Sequence, residues 1–506
     1  MKIIRRGICL ALASFLVVAM AACNNASTPK APENNSQNTS SSDTASYRKP
    51  YVSSETVETK RQLPDTDGDF DFEVVDWAGP KGYVIVVPAK DDAAREVAVY
   101  LQDYYTRKHG VTLQIVTDAV KETAKEILIG NTNRSQSKHS LTEGQLEAAL
   151  DGDKLVFKGG HAVTVEAAVK RFTRLFPELN EALTFKLDTD FTSTPSVDGL
   201  EDYKFVWGDE FEDWYDLDFG RWNFRAGMSG SASAIIARDR DVIDVGDGRL
   251  KIHAINHYDP NSPEVLFKMP WSTATNETMN FLYGYAEIRA KVPFFEGTWP
   301  SFWGGTATAV YPRDTRWHAE VDVFEIFGTA DTVVPNIHKW YDDYPYEEIY
   351  NTDGVRHTTY GKMEGRPAKY ELKHYVYKNY ENLNNEYHTY GYEWTPTEMS
   401  FYVDGEKYCT MDIVNSWDLE PDMSMFQEPQ YSQFNSHVFV NDGSFTPNLI
   451  YGNMELLPSE YYIDYYRLYQ KNDGKSKIWL DTSKRYTEQE VRRKDLAEFT
   501  RKGEES

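Results

Sequence analysis

From Tyr203 to Gln470 the chain is a succession of short alternating apolar runs broken by turns, with no helical period of any length. FLYGYAEIRAKVP (281–293), YHTYGYEW (387–394), EMSFYVDGEKY (398–408) and EYYIDYYRLYQ (460–470) are rich in aromatic and β-branched residues. This is how strands with one buried face read. Asp404-Gly405 between two such runs is a two-residue hairpin signal. So many short strands cannot bury their apolar faces in a single open layer. The stretch is expected to form an all-β jelly-roll sandwich over residues 200–471.

Within that stretch, HAEVDVFEIFG (318–328) carries Glu320, Asp322 and Glu325 among valines, phenylalanines and an isoleucine. Carboxylates in a buried strand are costly unless paired or put to use. Strand side chains alternate between faces, so Glu320 and Asp322 share one face and Glu325 falls on the other. A β-bulge at Val323 or Phe324 inserts one residue and returns Glu325 to the shared face. Three close acids cannot all ionise cheaply, so at least one pKa should be raised. A pair of carboxyls flanking a bond, one as nucleophile or base and the other as general acid, suits glycoside hydrolysis. Three solvated acids on an exposed edge, or a calcium site, are the alternatives. The flanking apolar residues weigh against free exposure.

Just upstream, EGTWPSFWGG (296–305) places Trp299 and Trp303 four residues apart. Tryptophan faces suit the apolar C–H faces of sugar rings. His338 and Trp340 of NIHKWY follow one strand later, and Gln433, Asn435 and His437 would share a strand face in EPQYSQFNSHVF (428–439).

The N-terminal part differs. Lys2, Arg5 and Arg6, then ICLALASFLVVAM, then MAAC ending at Cys23, resemble a lipoprotein signal over residues 1–22, with Cys23 acylated. Met20 stands where such signals usually carry leucine. Residues 23–68 are Ser, Thr, Asn and Pro with little to bury, and are expected to be a disordered tether. Residues 69–190 alternate apolar runs (83–89, 111–116, 126–130, 154–160) with amphipathic segments (91–110, 162–176). That alternation predicts a small α/β domain. AAREVAVYLQDYYTRKHG, EILIGNTNRS and LVFKGGHAVTVEAAVKRF resemble the accessory domain of bacterial hexosaminidases and α-glucuronidases. Residues 472–506 read as a charged tail. After the first two cysteines only Cys409 remains, so no disulfide is expected. The net charge of -25 argues against nucleic-acid or polyanionic partners.

Five motifs in order resemble glycoside hydrolase family 16, the laminarinase, lichenase, agarase and carrageenase group. They are VWGDEFED (206–213), YGYAEIRAKVPFFEGTWPSFW (283–303), AEVDVFEIFG (319–328), YHTYGYEWTPTEMSFYVDG (387–405) and YYIDYYRLYQ (461–470). The resemblance implies Glu320 as nucleophile, Glu325 as acid/base and Asp322 as the helper that sets the ionisation of Glu320. It implies Trp299 and Trp303 as subsite platforms and Arg289 as a cleft residue; His338 and Asn435 join them as candidate substrate contacts. No cofactor is implied for catalysis. A structural calcium would use Glu210 and Asp464, with main-chain oxygens and waters. The expectation is a monomeric, lipid-anchored cell-surface enzyme. It would be a retaining, endo-acting hydrolase of β-1,3- or mixed-linkage β-glucan. The alternatives are a galactanase of the agar or porphyran type and a surface glycan-binding protein without catalysis.

Overall fold

The computed structural model describes residues 72–175, 177–213, 221–225, 234–236, 240–257, 260–261, 267–270, 272–275, 278–293, 297–306, 317–326, 332–341, 375–376, 386–414, 423–438 and 456–480. Cys23, the signal and tether (1–68), Trp340's side chain and most of the charged tail lie outside the described residues.

Seven strands form the first sheet: β1 (Phe72–Asp76), β2 (Val84–Val87), β3 (Gln114–Thr117), β4 (Glu126–Ile129), β5 (Gln145–Asp151), β6 (Lys154–Gly159) and β7 (Glu181–Asp188). Their order is β1-β7-β5-β6-β4-β2-β3. The pairs β2–β3, β2–β4 and β4–β6 are parallel, and β5, β7 and β1 extend the sheet antiparallel. Helix α1 (Asp92–His109) starts where the Asp91 side chain accepts the Ala94 N–H and ends at Gly110, at φ 66°. A short carboxylate satisfies the first free amides, and glycine takes the left-handed turn without a Cβ clash. Ala94, Val97, Ala98, Leu101 and Tyr105 make its buried stripe. Helix α2 (Ala162–Arg174) packs against α1 and against β5 and β6.

The remaining strands make two sheets. One holds β8 (Tyr203–Asp209), β10 (Ala234–Ile236), β11 (Ile243–Gly246), β12 (Arg249–Asn256), β13 (Phe267–Met269), β16 (Gly284–Lys291), β21 (His388–Trp394), β22 (Glu398–Val403), β23 (Glu406–Asp412) and β25 (Ser459–Lys471). The other holds β9 (Asn223–Arg225), β14 (Ser272–Ala274), β15 (Met279–Leu282), β17 (Thr298–Thr306), β18 (Trp317–Glu325), β19 (Thr332–Tyr341), β20 (Tyr375–Val376), β24 (Gln430–Val438) and β26 (Lys477–Leu480). Their inner faces meet through Phe302, Phe324 and Phe434 on one side and Ile288, Tyr392 and Tyr466 on the other. Trp222 lies among Phe211, Phe434 and Tyr466, and its indole N–H donates to Asp209 Oδ2 at 2.7 Å. The expected sandwich end at residue 471 falls short of β26, which pairs with β15.

The first sheet's α2 meets the sandwich through charge. Arg171 and Arg174 converge on the buried Glu212, and Arg221 reaches Glu166 at 3.0 Å. Arg467 holds Glu210 at 2.8 Å and Asp190 at 3.0 Å.

Trp222→Ala would leave a large void in the sandwich core. It is expected to cost about 3–5 kcal/mol in chemical denaturation. Val206→Ala, at an exposed position, should stay within about 0.5 kcal/mol of wild type. Equal midpoints for the two variants would contradict this core.

Candidate active site

The acid strand β18 lies between β17 and β19. Against β17, Trp303 pairs with Asp322 but the next position, Phe302, pairs with Phe324, so Val323 is the extra residue. The register with β19 also shifts between Asp322 and Glu325. This is the bulge that the parity of the acids requires. Val323 and Phe324 both enter the core, and Glu325 returns to the face of Glu320 and Asp322.

Neighbouring strands furnish the rest of that face. His338 lies opposite Glu320 on β19, and Asn336 opposite Asp322. Trp299 lies opposite His437, Ser301 opposite Asn435 and Trp303 opposite Gln433 on β24. Trp299 Nε1–H donates to Glu325 Oε1 at 3.0 Å, and Trp303 Nε1–H donates to Asn435 Oδ1. Both indoles are thereby fixed in orientation, one by a candidate catalytic acid. His338 Nε2 is 3.1 Å from Asp322 Oδ2, 3.9 Å from Glu320 Oε1 and 2.6 Å from Asn336 Nδ2. Asn336 was not singled out from the sequence. Its signal was parity: it sits two residues before His338 and so shares its face.

Burial sets the electrostatics. The Asp322 side chain is 4% exposed and that of Glu320 24%, so Glu320 is the more open to a substrate. Burial pushes Asp322 up to about 8. Burial also raises Glu325 well above the carboxylate range, and the charges of Asp322 and Glu320 add to this. The opposing pulls of His338 and of the Trp299 N–H are smaller. A raised pKa is the direction that a general acid needs. One ligand atom each from Glu320, Asp322 and His338 lies within 4.8 Å of the others, a set that could hold a metal ion. Proton transfer and nucleophilic attack by the carboxyls need no ion there.

Three expected site residues lie elsewhere. Arg289 is on β16, in the opposite sheet, where its Nη1 binds Asp464 Oδ2 at 2.6 Å and its guanidinium stacks 4.6 Å from the Tyr387 ring centre. It is not a residue of the acid face. Glu210 and Asp464 do approach each other on that far side. Each already has an arginine, Arg467 for Glu210 and Arg289 for Asp464.

Asp322 makes a prediction about stability. Its folded pKa, about 8, exceeds an unfolded value near 4. The folded state therefore holds the extra proton, and stability falls as pH rises through that window. Asp322→Asn should flatten this slope and raise stability at neutral pH by on the order of 1 kcal/mol. Denaturation midpoints at about pH 5 and about pH 8 check it; an unchanged slope would contradict the buried, protonated Asp322.

Comparisons with known proteins bear on the same segment. The chain is 25% identical over 300 residues to the glucan endo-1,3-beta-glucosidase A1 of Niallia circulans, a match covering 55% of this chain and 39% of that protein. The chain thus spans well under half the length of that relative. It is 24% identical over 276 residues to a beta-glucanase of Rhodothermus marinus, covering 53% of this chain and 85% of that one. A solved laminarinase from Rhodothermus marinus aligns over 53% of this chain and 97% of its own, at 22% identity and a TM-score of 0.39. Residues 253–435, which hold the acid strand, both cleft tryptophans and Asn435, match the model of glycosyl hydrolases family 16.

Proposed function

We propose that the chain is a retaining, endo-acting glycoside hydrolase that cleaves β-1,3- or mixed-linkage β-glucan. The observation that carries this reading is the bulge at Val323, which puts Glu325, its proton held by burial, on one face with Glu320 and Asp322. A strand serving only the fold would have no need of that distortion. The relatives named glucan endo-1,3-beta-glucosidase and beta-glucanase support the same chemistry and substrate class.

In this reading Glu320, more exposed than Asp322, attacks the anomeric carbon and forms a glycosyl ester. Glu325 gives its proton to the departing glycosidic oxygen. It then takes a proton from the water that hydrolyses the ester, and the configuration is retained. Asp322, beside Glu320 and next to His338 Nε2, keeps a proton on this face and orients the nucleophile. Trp299 and Trp303 offer ring faces to the sugars on either side of the scissile bond.

Glu320→Gln and Glu325→Gln should each fold and lose on the order of 10²–10⁴-fold or more in turnover on β-1,3-glucan. Near-wild-type turnover in either would remove the assignment. Trp299→Phe keeps a ring but loses the N–H that lowers the Glu325 pKa. It should move the alkaline limb of the pH–rate profile upward, and an unmoved limb would contradict the link. Reducing-end release from a panel of β-glucans and galactans tests the substrate class, with agar-type galactan as the competing result.

We further propose that Cys23, outside the described residues, is acylated and holds the enzyme at a bacterial cell surface through the tether, as a monomer. The support is the MAAC sequence after an apolar segment. Wild-type protein should partition into membrane fractions and Cys23→Ala should not; equal partitioning would favour plain secretion.

A further inference from the structure

Strand β24 runs antiparallel beside β17, from Val438 opposite Thr298 to Gln430 opposite Thr306. Phe434 of β24 belongs to the sandwich core, so by alternation Gln433, Asn435 and His437 face the side of the sheet that carries the acids. There the strand meets both cleft tryptophans. Trp303 donates its indole N–H to Asn435 Oδ1. Trp299 stands directly opposite His437, with the two rings nearly perpendicular, at 85°, and their centres 5.9 Å apart. This is an edge-to-face contact of the kind aromatic pairs prefer. His437 is 4% exposed, so its ring has little room to turn away.

The weight of this contact comes from what Trp299 does. Its Nε1–H donates to Glu325 Oε1 at 3.0 Å and pulls down the pKa that burial raises. The carbonyl oxygen of a protonated carboxyl is its better acceptor, so an N–H on Oε1 favours a Glu325 proton on Oε2. The indole thereby selects the oxygen from which a proton is given up. The hydrogen bond fixes indole and carboxyl relative to each other, but not relative to the sheet. The torsions that turn these flat groups, at the end of the tryptophan and glutamate side chains, are broad. A third group with a settled place has to set the plane of the indole. Trp299 is half-buried, so packing does not enclose it on every side. His437, buried on the neighbouring strand, supplies a flat surface across from it.

We propose that His437 is a positioning residue of the candidate active site: its ring holds the Trp299 indole at the angle from which the N–H reaches Glu325. The proposal rests on the hydrolase reading for its consequence in catalysis and not for the contact itself. It makes β24 the strand that orients both cleft tryptophans, Trp303 through the Asn435 amide and Trp299 through the His437 ring. His437 acts through Trp299 and not on the reacting atoms. Among the described residues, the charged groups that act on Glu325 are Asp322 and Glu320 on its own strand and His338 on β19. All three are kept when His437 is replaced.

The test uses two substitutions that preserve bulk. His437→Leu removes the flat ring, and His437→Phe keeps one. The titration of Glu325 is followed in the full-length protein by carboxyl-carbon NMR on labelled glutamate, with the signal assigned by its loss in Glu325→Gln. His437→Leu should raise the midpoint by roughly 0.5–1 pH unit, the size of one weakened hydrogen bond. His437→Phe should leave it near the wild-type value. In a Trp299→Phe background, where the N–H is already gone, His437→Leu should add no further shift. The alkaline limb of the pH–rate profile on β-1,3-glucan should move in the same order. An unmoved midpoint in His437→Leu would overturn the proposal. So would equal shifts in His437→Leu and His437→Phe, or an undiminished shift in the Trp299→Phe background, which would mean that His437 acts on Glu325 directly. If the hydrolase reading were wrong, wild-type protein would release no reducing ends from the glucan and there would be no rate limb to follow, yet the carboxyl titration would still report the contact.

Discussion

One inserted residue governs the candidate active site. If the strand alternated regularly through Val323 and Phe324, Glu325 would point into the core where Phe324 now packs, and Phe324 would replace it on the open face. With the inserted residue, both demands of the strand are met. Val321, Val323, Phe324 and Ile326 pack into the sandwich, and all three acids share one side. The strand thus serves the core and the chemistry at once, and the bulge is what separates the two sets of residues.

The electrostatics follow from the same placement. A carboxyl on a buried strand loses water, and its neighbours on the same face are also acids. Asp322 and Glu325 therefore hold their protons well above the usual range. Glu320 is more exposed than Asp322. Along the strand, Asp322 is buried while Glu320 and Glu325 are half-buried. Burial also sets stability against function, because each raised pKa costs the folded state as pH rises. The Trp299 indole contributes by donating to Glu325, which lowers the pKa of that acid.

Local pattern made much of this legible. Alternation identified the strands around the acids, and a break in alternation located the bulge to within one residue. Trp299, Trp303, His338 and Asn435 could be placed by strand parity, and Asn336 could have been. What local pattern could not supply was partnership across long stretches of chain. Arg289 precedes Trp299 and Trp303 closely in sequence, yet β16 belongs to the other sheet. Asp464 is its partner from 175 residues away, and Glu210 meets Arg467 across 257. Strand β26 closes on β15 in the same fashion. Such pairings depend on which sheet each strand joins, and alternation says only that a strand exists. In the first sheet β1, β5 and β7 leave little trace in the sequence for a related reason: they carry charged residues at the ends of the runs and become strands by pairing at the antiparallel side.

The central claim is that the bulge sets Glu320 and Glu325 as a nucleophile and an acid/base pair close enough to act on one glycosidic bond. The configuration of the first-formed product reports this directly. Proton NMR during early hydrolysis of a β-linked glucan should show the β-anomer first, with the α-anomer rising only by mutarotation. An initial α-anomer would mean attack by water across a wider gap, and would contradict the account even if both glutamates proved essential.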